Sequence, residues 1–263
     1  MKQIVIIIII YTLLLASNLT FGQFNTPIVI DSVNLEHIID INIIDLDNNN
    51  QKDIVVSYRY NSILWYKNTN LNFTEMTAIT DSMDKPVYID HVDIDGNGFE
   101  DLLVSNTSNL AKIHLFKNMG GGTLWNETII DDSIPGAVVR SMFADLDNDG
   151  DLDIISCHDI EVAIYTNTSG IFSSKISVAN GSEYYNIVVE DYNNDGYKDF
   201  VVHSAFGVQL YTNNQNLTFT SQTHSLELQG LLETCDIDND GDFDIFYQDN
   251  STSTNVKTFK NDS

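Results

Sequence analysis

Only two cysteines and three prolines occur in 263 residues, and 12 basic residues stand against 38 acidic ones. Two cysteines cannot build the dense disulfide framework of a small secreted scaffold. Cys157 ends an apolar run and Cys235 precedes an acidic loop two repeats later. Both read as small buried apolar residues, since a bridge needs their Cα atoms within about 7 Å. The shortage of Lys and Arg, with a formal net charge of −26, excludes nucleic acid and anionic lipid as partners. Long apolar runs are also missing. The stretch Ile4–Ala16 has thirteen residues, whereas about 20 are needed to cross a bilayer. Lys2 precedes that stretch and Thr20-Phe21-Gly22 follows it, the build of a secretory signal peptide over residues 1–22, cut near Gly22-Gln23. No membrane insertion is expected, and residues 23–263 are the exported domain. Helix-period patterning is absent from that domain.

What the sequence has instead is a repeat. DLDNDGDLD at Asp145–Asp153 recurs as DLDNNNQKD at Asp45–Asp53, DIDGNGFED at Asp93–Asp101, DYNNDGYKD at Asp191–Asp199 and DIDNDGDFD at Asp236–Asp244. The first aspartates lie 48, 52, 46 and 45 residues apart, a period that marks a repeat architecture. Positions one, three, five and nine are Asp or Asn in every copy, and position six is Gly in four of the five. Carboxylates crowded this closely repel unless a cation sits among them. Calcium takes six to eight oxygens in loose geometry, which alternating side chains of a short loop can provide.

The candidate ligands are Asp45, Asp47, Asn49 and Asp53 in the first copy and Asp93, Asp95, Asn97 and Asp101 in the second. The third has Asp145, Asp147, Asp149 and Asp153; the fourth Asp191, Asn193, Asp195 and Asp199; the fifth Asp236, Asp238, Asp240 and Asp244. By charge count the third and fifth bind Ca²⁺ most tightly and the first, with Asn50 in place of Gly, most weakly. Asn tolerates the left-handed conformation required there. An EF-hand is excluded because position twelve is Val56, Val104, Ser156, Val202 or Tyr247 instead of Glu. Rigid octahedral Mg²⁺ sites and His- or Cys-loving metals do not suit these loops.

Each loop is followed by an apolar strand, as in Ile54-Val55-Val56 or Phe200-Val201-Val202. A second run ends in an aromatic-x-Asn signature: Tyr66-Lys67-Asn68, Phe116-Lys117-Asn118, Tyr165-Thr166-Asn167, Tyr211-Thr212-Asn213 and Phe259-Lys260-Asn261. A third strand opens on Phe73, Trp125, Phe172 or Phe219, and a fourth, such as Val87–Val92 or Val138–Ala144, leads into the next loop. Four strands per repeat and no helix describe an all-β propeller. The chain stops after Phe259-Lys260-Asn261, and Phe24–Val33 resembles the missing strand, so the N-terminal strand is expected to close the last of five four-stranded blades. The rival is a fragment of a larger propeller.

These loops, with the strand and the aromatic-x-Asn turn after each, resemble the FG-GAP/VCBS-type repeats of integrin α-subunit propellers and secreted bacterial proteins. The resemblance implies up to five Ca²⁺ in hairpin loops on one face, and an extracellular or cell-surface protein. The Phe-Gly and Gly-Ala-Pro signatures behind the name are largely missing, Phe206-Gly207 being a partial echo, so no ligand site is carried over.

No catalytic set stands out. His37, His91, His114, His158, His203 and His224 are scattered, and a Ser-His-Asp arrangement drawn from His158-Asp159 and His203-Ser204 lacks geometric support. The face opposite the loops gathers Tyr58-Arg59-Tyr60, Asn106, His158-Asp159, His203, Phe206 and Gln248-Asp249. Tyr88, Asp90, Arg140, Tyr184, Asn186 and Glu233 lie near the centre. Mixed aromatic and polar groups at a concave mouth suit a glycan or a peptide. The expected function is a monomeric binding or adhesion module for an extracellular glycan or protein, and not an enzyme. The alternative is an extracellular carbohydrate-active enzyme using that same face.

Overall fold

The computed structural model describes residues 27–30, 37–107, 110–181, 183–225, 232–249 and 255–261. The signal peptide expected over residues 1–22 and most of the closing strand expected at Phe24–Val33 lie outside these; residues 27–30 are not in a strand. Every regular element among the described residues is a β-strand.

Antiparallel sheets follow one another along the chain. The first holds β1 (Ile38–Ile44), β2 (Asp53–Tyr58), β3 (Asn61–Thr69), β4 (Asn72–Glu75) and β5 (Thr80–Met83), with β4 and β5 on successive parts of β3. The second holds β6 (Pro86–Val92), β7 (Asp101–Asn106), β8 (Leu110–Asn118) and β9 (Trp125–Pro135). In the third, β10 (Val138–Ala144), β11 (Asp153–His158) and β12 (Glu161–Tyr165) are followed by a small hairpin, β13 (Asn167–Thr168) and β14 (Ile171–Phe172). The edge strand there is β15 (Ile176–Asn180). The strand expected to run on from Phe172 is therefore broken, because β14 turns back on β13. The fourth sheet holds β16 (Tyr184–Glu190), β17 (Asp199–Ser204), β18 (Gly207–Asn213) and β19 (Phe219–Ser225); β20 (Leu232–Cys235), β21 (Asp244–Asp249) and β22 (Asn255–Phe259) form the last.

Strands β2, β7, β11 and β17 are buried at every position, because sheets cover both of their faces. Alternation then divides each strand between two cores. In β7, Leu102 and Val104 pack with Ile44, Val55 and Trp65 of the first sheet, while Leu103 packs with Ile154 and Tyr165 of the third. In β11, Ile155 and Cys157 join Phe200 and Val202 of the fourth. Val201 and Val208 then meet Leu232 and Ile245 of the fifth. The first strands also meet in succession, β1 with β6, β6 with β10, β10 with β16 and β16 with β20. This is a propeller-like stack. The far face of β1 presents exposed Ile39, Ile41 and Ile43, whereas Ile89, Ser141, Ile187 and Leu232, in register with Ile41, are buried.

The first strand of each of the first four sheets starts with a register shift, at Ile38/Asp40, Pro86/Tyr88, Val138/Arg140 and Tyr184/Asn186. Such a bulge re-aims the residue after it. Both cysteines are free, as expected, but Cys235 is exposed and not buried.

Candidate metal centres

Each acidic loop joins the first two strands of its sheet and is built by its own side chains. The position-nine aspartate is buried and bridges the loop to its neighbours. One oxygen accepts the N–H of position two, from Leu46, Ile94, Leu146, Tyr192 and Ile237, at 3.0–3.1 Å. The other accepts the N–H of the aromatic-x-Asn asparagine, from Asn68, Asn118, Asn167, Asn213 and Asn261, at 2.6–2.8 Å. The first aspartate accepts the N–H of position six in all five loops, from Asn50, Gly98, Gly150, Gly196 and Gly241. Position five accepts from position seven, as Asn49 does from Gln51 and Asp149 from Asp151. One hydrogen-bonded cage is thus repeated five times.

Position six is left-handed throughout, and Asn50 adopts it with φ 64°, so the turn survives without Gly. Position four is left-handed too: Asn48, Gly96, Asn148, Asn194 and Asn239 all have positive φ. That second requirement was visible as an unbroken Asn/Gly column, and sequence reading passed over it.

The cage gathers carboxylates. Asp45 with Asp47 and Asp53, Asp93 with Asp95 and Asp101, Asp145 with Asp147 and Asp153, and Asp236 with Asp238 and Asp244 each place ligand oxygens within 4.8 Å of one another. The fifth-position aspartates Asp149 and Asp240 stand outside the groups of their loops. In the fourth loop Asn193 occupies position three between Asp191 and Asp199, and its Nδ2 donates to Asp195 at 3.2 Å. Burial pushes the carboxyls of Asp101, Asp153 and Asp199 up to about 6, against the two backbone N–H groups that each accepts, and raises Asp53 as well.

These residues fit a divalent cation. Oδ1 of Asp47 and Oδ1 of Asp145 are buried and have no hydrogen-bond partner, which is costly unless a ligand is meant to meet them. The donors are all oxygens, the set calcium prefers. Positions one, three, five and nine would hold the ion, and bound there it would cancel repulsion among the carboxylates.

The opposite end differs from expectation. Tyr58, Asn106, His158 and His203 are buried and line no rim, and Tyr184, expected near the centre, is buried as well. Exposed apolar groups at the hairpin tips are Tyr60 (56%), Ile160 (48%) and Phe206 (58%). Near the centre, the Arg140 guanidinium lies 4.4 Å over the Tyr88 ring, donates to Tyr88 Oη at 2.7 Å and to Asn186 Oδ1 at 3.2 Å, and approaches Glu233 at 3.7 Å. Asp90 accepts from Phe143 N, and burial raises its carboxyl. Gln248, Asp249 and His224 carry no described side-chain surroundings. A Ser-His-Glu series does occur: Ser156 Oγ is 3.0 Å from His158 Nε2, and His158 Nδ1 is 3.4 Å from Glu161. Ser156 and His158 are wholly buried, bonded onward to Ser141 and Ser105, so the series is a polar seam between sheets.

Stacked antiparallel sheets with an acidic cage after each first strand define an all-β, propeller-like repeat protein. The FG-GAP-like repeat matches residues 45–104, 93–156 and 145–202, and the chain belongs to that family. Comparison with curated proteins returns no match. Among solved structures, the chain is similar to an Agrocybe aegerita lectin described for specific recognition of non-reducing terminal N-acetylglucosamine. That likeness has a TM-score of 0.65 and 19% identity over 93% of this chain and 73% of the lectin. The V. cholerae biofilm matrix protein Bap1 aligns with a TM-score of 0.53 and 15% identity, over 82% of this chain and 35% of its own. A Lactobacillus plantarum protein aligns at 0.51 and 10%, over 84% and 69%. At these identities the likeness concerns the fold.

Proposed function

We propose that the protein is a calcium-stabilised β-propeller of five blades that acts outside the cell as a binding or adhesion module. Its ligand is a glycan or a protein, it works as a monomer, and it carries out no catalysis. The observation behind this is the cage repeated in all five loops, which spends most of the chain's distinctive residues on rigidity. A stiff acidic scaffold with exposed Tyr60 and Phe206 on hairpin tips offers aromatic surfaces for a sugar ring or a peptide. The fold likeness to a lectin supports the same reading. An extracellular setting fits the FG-GAP-like repeats, and no helix among the described residues is long and apolar enough to cross a membrane.

The test is a glycan array probed with calcium-loaded protein, beside a turnover assay on soluble polysaccharides. Calcium-dependent retention on a defined glycan class supports the module. Turnover of any substrate defeats it in favour of a carbohydrate-active enzyme. Closure of the ring has its own test, because a closing blade would cover the exposed Ile39, Ile41 and Ile43 face. Ile41→Asp should then destabilise the fold by about 3 kcal/mol, whereas an open arc would tolerate it.

A further inference from the structure

The five loops share one backbone cage but not one counter-charge. The middle residue of the aromatic-x-Asn signature is Lys67, Lys117 or Lys260 in the first, second and fifth repeats, and Thr166 or Thr212 in the third and fourth. Each lysine reaches the loop of its own sheet. Lys67 pairs with Asp47, Lys117 Nζ is 3.8 Å from Asp95, and Lys260 Nζ is 2.8 Å from Asp238 and 3.8 Å from Asp240. The partner is the position-three carboxylate every time. A threonine cannot supply that charge. Among the described residues no Lys or Arg pairs with a carboxylate of the third or fourth loop, although the third carries five, four of them at ligand positions.

A like-charged cluster can be neutralised by an ammonium on a tether or by a bound ion, and the two compete for the same oxygens. Lys67 takes Oδ2 of Asp47, yet the side chain is 8% exposed and its Oδ1 remains buried and unpartnered. The lysine therefore lowers the charge of the first loop without filling it. In the third loop Oδ1 of Asp145 is likewise buried and unpartnered, with no lysine to share the charge.

We infer that the chain carries two kinds of loop. Those at Asp45, Asp93 and Asp236 are buttressed by a built-in ammonium, keep their shape without metal and bind it weakly. Those at Asp145 and Asp191 depend on the ion, and the loop at Asp145 binds it most tightly. This rests on the calcium reading and changes the ranking by charge count, which places the fifth loop level with the third.

The test exchanges the two residue types in the full chain. Calcium alone is titrated calorimetrically into wild type, Thr166→Lys and Lys260→Thr, and melting of each is followed with metal removed. Wild type should show a tight class of one or two ions and a weaker class. T166K should weaken the tight class by about tenfold or more and raise the metal-free melting temperature. K260T should move both readouts the other way, tightening one weak site and lowering metal-free melting, so a T166K protein that folds poorly does not leave the matter open. If neither exchange moves affinity or melting, the two-class division falls while the calcium reading stands. If wild type takes up no calcium, both fall.

Discussion

Asn118, at the end of β8, donates from Nδ2 to the carbonyl of Leu46, 72 residues earlier in the acidic loop of the first sheet, at 2.8 Å. Asn213 does the same to Leu146 at 2.8 Å, and Asn261 to Tyr192 at 2.9 Å. Each of these three asparagines thus pins the loop of the preceding sheet while its backbone N–H holds its own loop's position-nine aspartate, whereas Asn68 and Asn167 turn the side-chain amide to Lys52 and Leu152 of their own loops. Two loops are tied through a single residue.

Asn118 is fully buried, and its Oδ1 also accepts from Gly120 and Gly122. Asn118→Ala leaves the Leu46 carbonyl and two N–H groups without partners, so a loss of about 2–3 kcal/mol is expected in urea unfolding. Asn118→Asp keeps the acceptor but sets an oxygen against the Leu46 carbonyl, and should cost no less. A loss under about 0.5 kcal/mol in both variants would show that the tie is not structural.

Metal and pH are linked through Asp101, Asp153 and Asp199, whose folded carboxyls sit at about 6, above the ordinary value of 3.8. A raised carboxyl contributes stability below its unfolded pKa and loses it as pH rises through the folded one. The metal-free protein should therefore lose this contribution between about pH 4 and 6. Buried His114 and His158, both lowered by desolvation, act the opposite way, losing stability as pH falls below 6.5. Both metal states contain those histidines, so the gap between calcium-loaded and metal-free stability isolates the aspartates. That gap should widen as pH rises from 4 to 6, and calcium uptake should release protons across the same window. Calorimetry in two buffers of different ionisation heat measures the release; none would contradict the assignment.

The parts of this protein legible in its sequence are those governed by neighbours along the chain. Asp-x-Asp-x-Asp loops, the apolar strand after Asp153 and the left-handed turn at Gly150 follow from local periodicity and backbone sterics. The asparagine of each aromatic-x-Asn signature was visible as a repeated letter, but the bond from Asn118 to a loop 72 residues away depends on how sheets stack. Burial was misread where stacking decides it. His158 and His203 read as rim residues because each ends or nearly ends a strand, yet both are buried, His158 in a polar seam that runs to Ser105 of the preceding sheet. That Lys67, Lys117 and Lys260 each stand against an aspartate follows from the fold and has no mark in the local sequence. Arg140 was grouped with Tyr88, Asn186 and Glu233, all three of which it reaches, but the register shift at Val138/Arg140 that aims it has no local sequence mark.

Gly122 marks a close approach between the first and second sheets. It has φ +70°, and a Cβ there would stand 2.8 Å from the ring of Trp65, which is fully buried. Gly122→Ala combines left-handed strain with overpacking and should cost about 2–4 kcal/mol. Gly150→Ala, at φ +95° with nothing within 4 Å, meets only the strain and should cost about 1 kcal/mol in metal-free protein. Equal losses in the two variants would mean that Trp65 yields freely.

Arg140 ties the centre of the stack together. It stands on β10 yet reaches Tyr88 on β6, Asn186 on β16 and Glu233 on β20, so one side chain meets three other sheets. Its Nε is buried without a hydrogen-bond partner, and the carboxyl of nearby half-buried Asp90, raised by desolvation, is opposed first by the N–H groups of Phe143 and His91 and only last by this guanidinium. Arg140→Met removes the charge while keeping much of the stem, and should cost about 2–3 kcal/mol because Tyr88 and Asn186 lose a charged hydrogen-bond donor in a half-buried setting. Arg140→Lys restores the charge but not the planar fork that stacks on Tyr88 and bonds on two sides, so less than half of the loss should return. A cycle with Tyr88→Phe separates the Tyr88 hydrogen bond from the stacking, since the phenylalanine ring keeps the face and loses only the hydroxyl. Coupling of about 1 kcal/mol in urea unfolding is expected for that bond, and additive losses would show that Arg140 acts on the stack without Tyr88 Oη.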